Sequence, residues 1–127
     1  MSTVVKSSLL VVDDDNDILR FFDATLEDLG VDFHGVSSSK EFKGAYQVGQ
    51  YSAFVADIVM PQNDAFELVD WLKNQDCQRP VIFITAFSQY LEPIAEYAKA
   101  RGLRLVGTWR KPLQRADIEQ MIKAISR

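Results

Sequence analysis

Side chains able to bind cations and phosphate stand directly after four apolar segments of this chain. Three aspartates, Asp13–Asp15, follow the first segment, and Asp57 follows the third. Thr85 and Ala86 come at the end of the fourth, and Lys111 follows the fifth. Crowded carboxylates repel one another, and a divalent cation such as Mg²⁺ relieves that repulsion. A carboxylate can also attack phosphorus, provided that cations surround the phosphoryl oxygens. If folding brings these residues together, they fit phosphoryl transfer to Asp57.

Two hydrophobic periods alternate along the chain and predict the elements that carry these residues. Apolar or alternating runs typical of strands cover Ser8–Val12, Val31–Val36, Tyr51–Ala56, Val81–Thr85 and Leu103–Trp109. Apolar residues three and four positions apart predict a helix after each strand. Two pairs with capping spacing mark helix starts, Ser38 with Glu41 and Asp64 with Glu67, while Gly30 and Gly102 mark helix ends. Asp15 or Asn16 fits the cap of the first helix.

Strands that alternate with helices form a parallel sheet with helices on both faces. We therefore predict one α/β domain over residues 1–127, a doubly wound five-stranded sheet of the flavodoxin-like type with the common order 2-1-3-4-5. The carboxyl ends of parallel strands lie at the same end of the sheet. The candidate residues are therefore expected to converge there.

Composition narrows the class of protein. The 127 residues include one cysteine, Cys77, and one histidine, His34, which excludes an intramolecular disulfide and a Cys or His metal cluster. No apolar run exceeds four residues, and the first residues lack a signal peptide pattern, so a cytoplasmic protein that does not contact a membrane is expected. The net charge of −4 divides into −10 over residues 1–98 and +6 over residues 99–127.

Four motifs give the chain a familiar order. They are LLVVDD (Leu9–Asp14), DIVMP (Asp57–Pro61), VIFITA (Val81–Ala86) and KP (Lys111–Pro112). Each is weak alone, but together, in this order and spacing, the sequence resembles the receiver domain of bacterial two-component response regulators. The resemblance covers essentially the whole chain.

The resemblance implies a role for each candidate residue. Asp57 would be the phosphoacceptor. Mg²⁺ would be held by the carboxylates of Asp13, Asp14 and Asp57 and by the backbone carbonyl of Val59. The phosphoryl group would be bound by Thr85, Ala86 and Lys111, and the Lys111–Pro112 bond would be cis. The activity implied is phosphoacceptance, with self-phosphorylation from small donors and autodephosphorylation.

Two positions depart from the usual receiver pattern. Thr108, with Trp109 beside it, stands at the switch position that is usually aromatic, and Ala65 stands where a glycine is usual. In the family, side chains two positions after the phosphoacceptor and two after the threonine flank the path of the attacking water; here these positions hold Val59 and Phe87, and both are apolar. We therefore predict slow autodephosphorylation, because neither side chain can orient a water.

The resemblance also implies partners. The phosphoryl donor would be a histidine kinase or phosphotransfer protein, and the output a downstream protein that contacts the face of the fourth helix, fifth strand and fifth helix (α4-β5-α5). The basic end of the chain favours an acidic protein surface as partner, whereas nucleic acid is disfavoured by the negative total. A homodimer formed on phosphorylation remains open.

Three alternative functions remain. A degenerate receiver could act only as an interaction module, although the complete residue set argues against it. The chain could be the receiver fragment of a larger regulator, since LRLVGTWRKPL also resembles receivers attached to cyclic-di-GMP phosphodiesterases. A nucleotide- or flavin-binding protein is disfavoured, because three aspartates replace the phosphate-binding loop after the first strand. His34 and Cys77 are assigned no role.

Overall fold

Five parallel strands form the central sheet. A computed structural model of the chain describes residues 7–60 and 63–126. The sheet strands are β1 (Ser8–Val12), β2 (Asp32–Val36), β3 (Ala53–Asp57), β4 (Val81–Thr85) and β5 (Leu105–Arg110). Their order is β2-β1-β3-β4-β5, and every pairing is parallel. The predicted topology is confirmed.

Five helices connect and cover the strands. They are α1 (Asn16–Asp28), α2 (Ser39–Val48), α3 (Ala65–Asn74), α4 (Leu91–Ala100) and α5 (Arg115–Ile125), and a 3₁₀ turn, Ser88–Tyr90, leads into α4. The Asp15 side chain caps α1 by accepting the Asp17 N–H, and Ser38 caps α2 by accepting the Glu41 N–H. Gly30 and Gly102 follow α1 and α4 with φ of 71° and 80°, a conformation that favours glycine. The helix boundaries predicted at these residues are confirmed.

The core has two layers, one on each face of the sheet. Leu9 and Val11 of β1 pack with apolar residues of α1 and α5, whereas Leu10 and Val12 pack with those of α2, α3 and α4. All four side chains are fully buried. Burial on both faces explains why β1, β3 and β4 are almost entirely apolar in sequence. None of the described helices has the length and hydropathy of a membrane span.

Three of the predicted strands have boundaries that are wrong by one or two residues. β2 begins at Asp32 and β5 at Leu105, because the N–H groups of Val31 and Leu103 instead donate to the ends of the preceding helices, at Leu26 and Ala98. β3 runs from Ala53 to Asp57, so it starts later than predicted and includes the acidic residue.

A short antiparallel hairpin, Val59–Met60 with Asn63–Asp64, was not predicted. It lies between β3 and α3. The side-chain cap expected of Asp64 falls outside what the structure describes.

Candidate functional site

Three carboxylates meet at the carboxyl end of the sheet. One oxygen each of Asp13, Asp14 and Asp57 lies within 4.8 Å of the other two. Asp13 is fully buried and Asp57 is 5% exposed, whereas Asp14 is exposed. The prediction that these aspartates converge at the ends of the strands is confirmed. Asp14 is open to water, whereas the other two are not.

Backbone hydrogen bonds fix the two buried carboxylates. The Asp13 N–H donates to the Val36 carbonyl at 3.0 Å, and Asp13 Oδ1 accepts the Asp15 N–H at 2.9 Å. At the end of β3, Asp57 Oδ1 accepts the Val59 N–H at 3.1 Å. Asp15 itself caps α1, so its own side chain is used there. The first turn after each strand therefore orients one acid of the site.

Lys111 joins the two buried acids from the end of β5. Its Nζ lies 2.6 Å from Asp13 Oδ2 and 3.1 Å from Asp57 Oδ2, with the side chain only 13% exposed. The Lys111 N–H donates to the Thr85 carbonyl at 2.7 Å, and the Lys111–Pro112 bond is cis, as the resemblance implied. The lysine therefore supplies a fixed positive charge between Asp13 and Asp57.

The site carries more negative charge than Lys111 neutralises. Three carboxylates face one ammonium group, and Asp13 Oδ2, although close to Lys111 Nζ, is buried without an aligned hydrogen bond in the described part of the chain. Carboxylate oxygens are the ligands that Mg²⁺ prefers. The donor set and the incompletely satisfied oxygen therefore fit a divalent cation.

Burial perturbs the ionisation of this cluster. Desolvation, reinforced by the nearby Asp13 charge, raises the pKa of Asp57 to about 6 despite the opposing effects of the Val59 N–H and of Lys111. Burial by itself would lower the pKa of Lys111, but its contacts with Asp13 and Asp57 outweigh that effect and raise it. The lysine is therefore charged at neutral pH, and Asp57 ionises only above the usual range of a carboxyl group.

Thr85 ends β4 beside the acids and is fully buried. Its Oγ1 accepts the Phe87 N–H at 3.0 Å, which ties the hydroxyl to the loop before α4. Ala86 follows as an exposed residue. Phe87 is 49% exposed, and its ring packs edge-on against Tyr90 with the centroids 6.3 Å apart. Val59, at 38% exposure, is half-open to water.

The residue at the predicted switch position, Thr108, has a small side chain. Thr108 is half-buried on β5 opposite Phe83 of β4. Its neighbour Trp109 instead packs into the layer containing α1 and α5, where its Nε1 donates to Gln120 Oε1 at 3.4 Å. The indole crosses Gly107, at which a Cβ atom would lie 2.5 Å from the ring. The sequence reasoning missed this use of Gly107, although a glycine two positions before a tryptophan in a strand is a readable signal.

A cluster between α3 and α4 was also missed. Tyr97 donates its hydroxyl to Asp70 at 2.9 Å, and Arg101 Nε donates to the same carboxylate at 2.8 Å. The Arg101 guanidinium stacks 3.4 Å from the Tyr97 ring centroid. Since Asp70 lies 27 and 31 residues before its partners, no local spacing in the sequence indicates the cluster.

Solved structures share this fold. The chemotaxis response regulator CheY4 of Vibrio cholerae superposes with a TM-score of 0.81 at 21% identity, over 95% of this chain and 99% of that one. The response regulator TrrA of Thermotoga maritima, solved in complex with Mg²⁺ and beryllofluoride, gives a TM-score of 0.80 at 20% identity, over 94% and 98%.

Curated proteins are also similar to this chain in sequence. The transcriptional regulatory protein GltR of Pseudomonas aeruginosa is 29% identical over 94% of this chain and 49% of its own length. The receiver protein CpdR of Brucella abortus is 31% identical over 63% of this chain and 67% of its own. The chain spans about half the length of the first of these, and likewise of the Bacillus subtilis regulator PhoP. Residues 9–123 match the response regulator receiver domain as a family. With its acidic pocket and 2-1-3-4-5 sheet, the chain belongs to the receiver domains of two-component response regulators.

Proposed function

We propose that the chain accepts a phosphoryl group on Asp57 in a Mg²⁺-dependent reaction. The observation that carries the proposal is the position of Lys111 Nζ, within 3.1 Å of Asp57 and 2.6 Å of Asp13, in a cluster whose three carboxylates lie within 4.8 Å. An acid that only stabilised the fold would not need two further acids beside it. The arrangement instead supports a site that binds a divalent cation together with the oxygens of a phosphoryl group.

Asp57 is the nucleophile in this proposal. A carboxylate oxygen forms the new bond to phosphorus, and the bond from phosphorus to the donor's leaving group breaks, with its electron pair departing on acetate or imidazole. The Val59 N–H and Lys111 Nζ hold the two Asp57 oxygens in place before the attack. Their fixed positions reduce the orientational cost of the reaction.

Asp13, Asp14, Asp57 and the Val59 carbonyl would hold Mg²⁺, which supplies positive charge to the phosphoryl oxygens. Lys111 would pair with one phosphoryl oxygen, while the Thr85 hydroxyl and the Ala86 N–H would donate to others. Two observations support this role for Thr85: it is buried at the carboxyl end of β4, and its backbone carbonyl accepts the Lys111 N–H.

A route from the site to a partner-binding face is part of the proposal. Thr85 Oγ1 accepts the Phe87 N–H, so a hydroxyl that turns towards phosphate must weaken its contact with the segment leading into α4. Phosphorylation would thereby shift a two-state equilibrium of the α4-β5-α5 face. The phosphoryl donor would be a histidine kinase or phosphotransfer protein. The protein that binds the α4-β5-α5 face would be a downstream protein or a second copy of the chain.

The protein that binds the α4-β5-α5 face is proposed to carry an acidic surface. Residues 99–127 have a net charge of +6. Part of that charge is already neutralised by acids elsewhere in the chain, since Arg101 pairs with Asp70 and Arg115 pairs with Asp28. Association should therefore weaken as salt is added, but less steeply than the total charge alone implies.

Acetyl phosphate with Mg²⁺ tests the central step. We expect intact-protein mass spectrometry to show one acid-labile phosphoryl group on the wild type and none on Asp57→Asn. Asp15→Asn is the matched control, because it removes a neighbouring charge while asparagine can still cap α1. Labelling of Asp57→Asn would disprove the phosphoacceptor assignment. A wild type that takes up no phosphate would favour the alternative of an interaction module.

A further inference from the structure

The outer edge of β2 presents backbone groups that no strand in residues 7–60 or 63–126 pairs with. β2 is the first strand in the sheet order. The Asp32 N–H donates to Ser7 and the Val36 carbonyl accepts from Asp13, so these residues face β1. Backbone direction alternates along a parallel ladder. Phe33 and Gly35 therefore turn their N–H and C=O groups outward.

A groove runs beside this edge, between β2 and α1. It consists of two adjoining concavities of 200 Å³ and 280 Å³ that share Asp23 and Phe33. The Phe33 ring lies over Gly35, where a Cβ atom would be 2.5 Å from the ring and 3.1 Å from Leu19. The glycine thus allows an apolar floor to form directly beside the outward-facing backbone groups.

The groove is acidic on its helical side. Asp23 and Glu27 lie one turn apart on α1, both are exposed, and both line the concavity of 280 Å³. Asp32 lies at the rim of the same concavity. Arg20 lines the other concavity, of 200 Å³, and its positive charge is in an ion pair with Asp17. A negatively charged ligand such as a nucleic acid would therefore be repelled here.

We propose that this edge binds an extended basic segment of a partner protein, which adds a strand to β2. Outward N–H and C=O groups at Phe33 and Gly35 would supply the main-chain hydrogen bonds of strand addition. Residues of the added strand opposite Phe33 and Gly35 would face α1, so lysine or arginine there would reach Asp23 and Glu27. Asn16, which follows Asp13–Asp15 in the sequence, lines one end of the groove. The bound segment would therefore end close to the acidic site. The proposal does not depend on phosphorylation.

A designed peptide tests both parts of the recognition. A fluorescent peptide of alternating lysine and valine is titrated with the protein, and binding is followed by fluorescence anisotropy. We expect saturable binding that weakens about tenfold in the double variant Asp23→Lys/Glu27→Lys. In ¹⁵N spectra, the amides of Phe33 and Gly35 should shift more than those of Asp32 and His34. A peptide N-methylated at alternate positions, which cannot donate to the edge, should also bind about tenfold more weakly.

The matched control is a charge reversal elsewhere. Glu92 and Glu96 are exposed one turn apart on α4, and the double variant Glu92→Lys/Glu96→Lys, which changes the net charge by the same amount, should leave binding unchanged. Equal loss in this control variant, or equal binding of the N-methylated peptide, would overturn the proposal in favour of attraction by net charge alone. Failure of the peptide to bind would also overturn it. Sedimentation of the protein alone shows whether a second copy occupies the edge, an outcome that likewise contradicts a partner segment.

Discussion

Replacing Asp57 with asparagine is expected to stabilise the fold at neutral and alkaline pH in the absence of metal. The pKa of this carboxyl group rises from 3.8 to about 6 on folding, chiefly because the folded protein removes it from water. The folded state therefore binds the proton more tightly than the unfolded state does. The stability associated with the neutral form is fully present below pH 3.8 and is lost as the pH rises through about 6.

The size of the effect follows from the shift. About two pKa units correspond to ~3 kcal/mol. Asparagine stays neutral at every pH and can still accept the Val59 N–H, while Lys111 keeps its contact with Asp13. The free energy of unfolding of Asp57→Asn should therefore exceed that of the wild type by about 3 kcal/mol at pH 8, and the difference should shrink towards pH 4.

Urea unfolding followed by circular dichroism, from pH 4 to pH 8 with a chelator present, measures this difference. Asp14→Asn is the matched control, because Asp14 is exposed and its replacement should change stability by less than about 0.5 kcal/mol. Added Mg²⁺ should stabilise the wild type more than Asp57→Asn and so narrow the gap. A gap that is absent at pH 8, or that does not depend on pH, would refute the reasoning.

Three further changes test other contacts. Lys111→Met should destabilise the chain by about 3 kcal/mol at pH 8, because the substitution leaves two buried carboxylates unpaired. The destabilisation should be smaller at pH 5, where one of these carboxylates takes up a proton, and urea unfolding at both pH values measures the difference. Val59→Asn combined with Phe87→Glu should speed loss of the phosphoryl group with Mg²⁺ present, and equal decay of wild type and variant would make the apolar pair mere packing. Gly107→Ala should cost about 1–3 kcal/mol because its Cβ meets the Trp109 ring, and near-UV circular dichroism should report the displaced indole.

Local patterns were sufficient to predict most of the fold. Apolar runs gave the five strands, and helical spacing gave the five helices, because burial imposes these periods on the sequence. Errors occurred at boundaries such as Val31 and Leu103, whose N–H groups close the preceding helix instead of opening a strand. The hairpin beginning at Val59 was missed, since two-residue strands leave no periodic signal.

The acidic site was equally predictable in its membership. Asp13, Asp57 and Lys111 each follow a strand, and parallel strands end on the same side of a sheet. Sequence order alone therefore placed these residues in one site. The resemblance to receiver domains then gave each residue a proposed role.

Only the tertiary structure determined how deeply each acid is buried and which residues far apart in the sequence are in contact. Burial, which depends on the whole chain, separates Asp13 and Asp57 from the exposed Asp14 and raises the pKa of Asp57. The cluster of Tyr97 and Arg101 around Asp70, like the groove between α1 and β2, joins segments that share no local pattern. Such features arise because side-chain contacts depend on how whole elements pack, whereas the sequence period records only which face of each element is buried.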